Sequence, residues 1–130
     1  MADKKIASIQ AKLQESSRDF QKLEADMAGT IEARQRLDAQ LSENQLVLKE
    51  FDGLKAHNTV FKLIGPALVP QDQAEARANV QKRLEFIKSE IARVEKQIKD
   101  QDAVAAKKKD EIMALQREFQ ALQPPSAEAK

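Results

Sequence analysis

Apolar residues recur at alternating steps of three and four through two long stretches of this chain, and that repeat limits what it can fold into. The first stretch reads Ile6, Ile9, Leu13, Ser16, Phe20, Leu23, Met27, Thr30, Arg34, Leu37, Leu41, Asn44, Leu48 and Phe51. The second reads Val80, Leu84, Ile87, Ile91, Val94, Ile98, Gln101, Ala105, Lys108, Ile112, Leu115, Phe119 and Leu122. A repeat sustained over so many turns, free of helix-breaking proline, argues a coiled coil rather than two ordinary amphipathic helices. The outer positions agree: 33% of the 130 residues are charged and there is no Trp or Tyr. Such stripes bury a narrow seam and no wide core.

The punctuation gives the boundaries. A first helix is expected over residues 4–52, with Gly53 as its stop because glycine tolerates the left-handed conformation after a helix end. Gly29 lies inside that helix, where it costs about 1 kcal/mol relative to Ala. A second helix is expected over 72–123, where Asp72 with Glu75 has the capping-box spacing and Pro124-Pro125 ends it. The tail 124–130 is small and polar and reads as disordered, leaving 1–123 as a single domain. Each helix would be about 70 Å long at 1.5 Å per residue, and the short connection folds them into an antiparallel pair.

The connection, 58–70, is too apolar for a plain loop. It reads Val60-Phe61-Lys62-Leu63-Ile64-Gly65-Pro66-Ala67-Leu68-Val69-Pro70, a β-hairpin turning at Gly65 with large apolar groups on both faces. An isolated two-stranded hairpin is marginal in water, and its free edges invite another chain. The fold class is therefore mainly α, a long antiparallel two-helix coiled coil joined by one β-hairpin. Val60, Phe61, Leu63, Ile64, Leu68 and Val69 are the expected subunit-assembly residues. Covering the end of the chain's own coiled coil would occupy only one hairpin face.

Polar residues interrupt the seam at Ser16, Thr30, Arg34, Asn44, Gln101 and Lys108, which suggests register specification. Matching polar with polar sets Arg34 beside Gln101 and Phe20 beside Leu115; a one-heptad slip would set Phe20 beside Lys108 and Arg34 beside Val94. The first alignment is the expected one. It leaves Ile6 and Ile9 overhanging as exposed apolar groups at a helix tip, able to hold unfolded segments because hydrophobic contact is non-directional.

Several function classes find no support. One histidine, His57, and no cysteine leave zinc ligation and Cys/His catalysis without their parts, and two helices enclose no pocket for paired carboxylates, so no enzyme, cofactor or metal is expected. The net charge is +1 from 22 basic and 21 acidic residues of mixed placement. Only Lys107-Lys108-Lys109 resembles a basic patch, so a nucleic-acid-binding helical arm is disfavoured. No run is apolar enough to span a bilayer, and Met1–Lys5 lacks the apolar stretch of a secretory signal. A cytoplasmic location is the simplest expectation.

The hairpin residues 60–69, with Glu75-Ala76-Arg77 and Asn79-Val80-Gln81-Lys82-Arg83-Leu84-Glu85-Phe86-Ile87 after them, closely resemble the β-class subunits of prefoldin. One departure is Phe61, where a tyrosine is common; the ring is kept and the hydroxyl lost. The resemblance implies a hetero-hexamer with other α- and β-class prefoldin subunits, in which hairpins complete intersubunit β-barrels. It implies an ATP-independent cytosolic co-chaperone that captures unfolded proteins of the actin and tubulin type at coiled-coil tips and delivers them to the cytosolic chaperonin. Client-binding residues would then be Ile6, Ile9, Leu13, Phe119 and Leu122. The alternative is a coiled-coil scaffold or tether without chaperone activity.

Overall fold

The structure, a computed structural model, describes residues 2–123. Its elements follow in the order α1 (Ala2–Asp52), β1 (Val60–Ile64), β2 (Ala67–Gln71) and α2 (Gln73–Leu122). The tail expected at 124–130 lies outside the described residues. Two compact units divide the chain, one of Met1–Ile31 with Gln97–Lys130 and the other of Glu32–Lys96.

The heptad repeat selects the packed faces. Every seam position from Ile6 to Phe51 and from Val80 to Leu122 is buried or half-buried, while nearly all intervening helix positions are exposed. In the second unit the seam is driest at Leu84, Ile87, Ile91 and Val94, all buried. Burying each such side chain is worth on the order of 1.5–3 kcal/mol. In the first unit the most protected apolar residue is Ile9, at 4% exposure.

The register departs from the polar-matching expectation in both units. In the second, Arg34 Nη2 donates to Glu95 Oε1 at 2.7 Å, and Arg77 reaches Asp52 at 2.6 Å. In the first, Lys108 Nζ lies 3.4 Å from Asp19 Oδ2. Each pair fits the one-heptad slip, in which Phe20 is level with Lys108 and Arg34 with Val94. The physical reason is that the seam's polar groups do not need one another. Thr30 Oγ1 donates to the Asp26 carbonyl at 2.9 Å and Asn44 Nδ2 to that of Gln40 at 2.7 Å, so both are satisfied within their own helix. Arg34 and Lys108 lay their aliphatic stems along the seam and carry their charges to its flank. There Arg34 meets Asp38 and Glu95, and Lys108 meets Asp19 and Glu111. Hydrogen bonding to Asp38, and then to Glu95, raises the Arg34 pKa against the pull of desolvation. Desolvation pulls the Lys108 pKa down, but the hydrogen bond to Asp19 and the charge of Glu111 outweigh it and leave it raised.

Two seam atoms shielded from solvent have no hydrogen-bond partner among the described residues: Arg34 Nη1, which is ion-paired with Asp38, and the side-chain carbonyl oxygen of Gln101, which has no partner of any kind. An unmet buried acceptor costs about 1–3 kcal/mol. Gln101→Leu is therefore expected to stabilise the helical pair by about 1–2 kcal/mol, read as a higher urea midpoint at unchanged m-value. A lowered midpoint would show that Gln101 has a polar role in the seam.

Local chemistry sets the helix ends. At the start of α2, Asp72 caps: its carboxylate accepts the Glu75 N–H at 3.0 Å. At the end of α1, Gly53 N–H bonds to Glu50 O at 3.1 Å and Leu54 N–H to Phe51 O at 3.2 Å, which tightens the last turn. Gly53 does not adopt the left-handed conformation expected of it; among the glycines only Gly65 has positive φ. Gly29 is accommodated within α1 without interrupting it.

Candidate functional site

The hairpin pairs Ile64 with Ala67, Leu63 with Leu68, Lys62 with Val69, Phe61 with Pro70 and Val60 with Gln71. Gly65 and Pro66 form the two-residue turn. Gly65 takes φ of 58°, while the ring of Pro66 keeps φ negative, the sign pattern of a type II′ turn. Side chains of directly paired residues share a face. Phe61, Leu63, Leu68 and Pro70 therefore stand on one face, and Val60, Lys62, Ile64, Ala67, Val69 and Gln71 on the other.

A two-residue turn also fixes the hydrogen-bond phase. The pair flanking the turn is hydrogen-bonded, so the pairs alternate from there. Lys62–Val69 and Val60–Gln71 bond inward. The backbone groups of Phe61, Leu63, Leu68 and Pro70 point outward, to the open edges. That phase is why Pro70 is tolerated in β2: its missing N–H faces away from β1. The two edges consequently differ. The β1 edge offers complete donor and acceptor pairs at Phe61 and Leu63, whereas the β2 edge lacks a donor at Pro70.

Both faces of the hairpin are bare. Leu63 is 67% exposed, Leu68 65%, Ile64 55% and Phe61 52%. Val69 is also exposed and Val60 half-buried. The six residues expected to serve assembly thus lie together on this one element.

The base of the hairpin is held by residues that the periodicity does not reveal. Gln73 Nε2 donates to the carbonyls of Lys55 and Asn58 at 2.8 and 2.6 Å. Asn58 accepts the Lys55 N–H at 2.7 Å. With the Arg77–Asp52 ion pair, these bonds fix how the chain leaves α1 and enters α2. His57 is exposed. Among the described residues no group of His, Cys, Asp or Glu could hold a metal ion, and no helix is long and apolar enough to cross a membrane.

The second expected site, the helix ends, differs from its prediction. Ile9 is buried, and Ile6, Leu13, Phe119 and Leu122 are half-buried. The one-heptad slip removes the overhang that was to expose Ile6 and Ile9, because α2 reaches far enough to pair with them.

A family model described as "Prefoldin subunit" matches residues 10–119. The chain is 43% identical to prefoldin subunit 6 of Mus musculus over 122 residues, which cover 94% of this chain and 96% of that relative. It is 39% identical to prefoldin subunit 6 of Arabidopsis thaliana over 129 residues, covering 99% of this chain and 100% of the plant protein. Among solved structures, the prefoldin beta subunit from Thermococcus strain KS-1 superposes with a TM-score of 0.73 at 19% identity, covering 88% of this chain and 95% of that one. The archaeal likeness concerns the fold alone. Two helices joined by one apolar hairpin, together with these matches over nearly the whole chain, place the protein in the prefoldin family.

Proposed function

We propose that this chain is a β-class subunit of a hexameric, ATP-independent co-chaperone that receives unfolded proteins of the actin and tubulin type in the cytoplasm and passes them to the cytosolic chaperonin. The observation that carries this reading is the hairpin bare on both faces, with Phe61, Leu63 and Leu68 on one and Ile64 and Val69 on the other. So much apolar surface on a two-stranded ribbon favours a chain built to be joined by others. The assembly residues are Val60, Phe61, Leu63, Ile64, Leu68 and Val69, and sister α- and β-class subunits supply the neighbouring strands of a barrel. Ile6, Ile9, Leu13, Phe119 and Leu122 form the client-binding tip. The tip packs closed against itself, so capture requires its terminal turns to open. Helix ends, which lack full hydrogen bonding, open at low cost.

The test is reconstitution with the sister subunits. The expected result is a hexamer by native mass measurement that suppresses aggregation of a denatured client without nucleotide. A scaffold or tether would assemble and leave client aggregation unchanged, which would overturn the reading.

A further inference from the structure

The hairpin is too small to account for a stable subunit interface. Strands of five residues make a patch of about 17 Å by 10 Å, on the order of 200 Å² for each face. A stable interface buries about 800 Å² per partner. The remaining area has to come from the helices beside it.

Leu46, also exposed, lies on the outer face of α1 away from the hairpin, and one flank of the helical pair in this unit carries apolar area that adjoins β1. Asn79, Arg83 and Phe86, spaced four and three residues apart, form one row along α2. Phe86 is 64% exposed there. Across the seam Val47 of α1 is also exposed, at a position where the heptad calls for a polar residue. Between these helices and β1 opens a groove of about 510 Å³, with an apolar floor that includes Val47, Val60, Phe61 and Val80. Its lining includes two cations, Lys62 and Arg83, and no carboxylate. Neither cation forms an ion pair among the described residues, and the nearby Glu90 is already bonded to Arg93 at 2.8 Å. The opposite flank is different in kind. It carries the Arg34–Asp38, Arg34–Glu95 and Asp52–Arg77 pairs, with Gln45 and Lys88 between them.

We infer that the main subunit interface is one-sided: it runs from the outer edge of β1 down the Val47–Phe86 flank, and its occupant is a sister prefoldin subunit. The β1 edge has the complete backbone ladder, and the groove begins at the same strand, so the two surfaces are continuous. The incoming strand pairs with Phe61 and Leu63. The segment next to that strand sets an apolar side chain into the groove and a carboxylate against Arg83 and Lys62. This inference rests on the assembly reading and assigns it a side.

Val47→Glu with Arg83→Glu tests it, using the full chain mixed with its sister subunits. Gln45→Glu with Lys88→Glu, on the opposite flank, makes the same change in charge. Circular dichroism should show both double variants as helical as the parent. The groove variant is expected to need at least tenfold more subunit for half-maximal hexamer, and the opposite-flank variant to assemble like the parent. Three results would overturn the inference: equal weakening by both variants, normal assembly by the groove variant, or normal assembly with lost client retention. The last would make the groove a client surface. Failure of the assembly reading itself is distinguishable, since a variant charged on the hairpin would then also assemble normally.

Discussion

Phe61→Lys combined with Leu63→Lys is expected to leave the isolated chain folded and to exclude it from the hexamer. Both side chains stand on one hairpin face and are already 52% and 67% exposed, so in the isolated chain new charges there remain solvated. In the proposed assembly that face is covered, and each charge would lose its water. A buried charge without a partner costs about 3–5 kcal/mol. Even one such loss weakens association by more than about a hundredfold, since 1.4 kcal/mol is a factor of about ten. The helices should not respond, because the seam residues Leu84, Ile87, Ile91 and Val94 stay buried within the helical pair. The check is circular dichroism on the variant, then size-exclusion chromatography with mass measurement after mixing with the sister subunits. Assembly at the parent's midpoint would remove the hairpin from the interface.

The architecture was legible in the sequence because its signals are local and redundant. Many three-four steps have to agree before a coiled coil is inferred, so single polar interruptions such as Ser16 or Asn44 do not obscure it. The hairpin was legible for a similar reason: Gly65-Pro66 lies between two apolar runs and has one compact solution. Register was not legible, because it depends on a small difference between two alignments that both bury the apolar stripe. Polar matching set Arg34 across from Gln101 as though the seam's polar groups had to meet, yet Thr30 and Asn44 bond to carbonyls one turn back in their own helix. It treated Arg34 and Lys108 as buried charges, although their long stems let the charged ends reach carboxylates on the flank. The cost of the slip falls on Gln101. The groove beside β1 was not legible for another reason. Val47 and Phe86 lie outside the seam, and a heptad repeat assigns outer positions no packing role, so their exposure shows only in the structure.

Removal of residues 1–13 together with 117–130 in every β-class position of the hexamer is expected to spare assembly and to abolish most client retention. The cuts suit the observed register. Asp19 is level with Lys108, so Leu13 comes out close to level with Leu115, and trimming leaves no long unpaired helix. The Lys108 and Arg34 pairs and the hairpin all remain. What disappears is the terminal cluster of Ile9, buried at 4% exposure, with Ile6, Leu13, Phe119 and Leu122 half-buried about it. In the closed tip these side chains satisfy one another, and a client has to compete with that packing. A single tip should therefore bind weakly. Several tips acting on one chain gain roughly 10²–10⁴ in avidity without any new contact, and losing them together forfeits that gain. The measurement is light scattering during dilution of a denatured client into the trimmed hexamer, with native mass measurement confirming that the hexamer is intact. Undiminished protection by an intact trimmed hexamer would place capture on surfaces that survive the cut, namely the flanks of the helices or the underside of the barrel. Protection that falls more steeply than the number of trimmed subunits would assign it to the tips acting together.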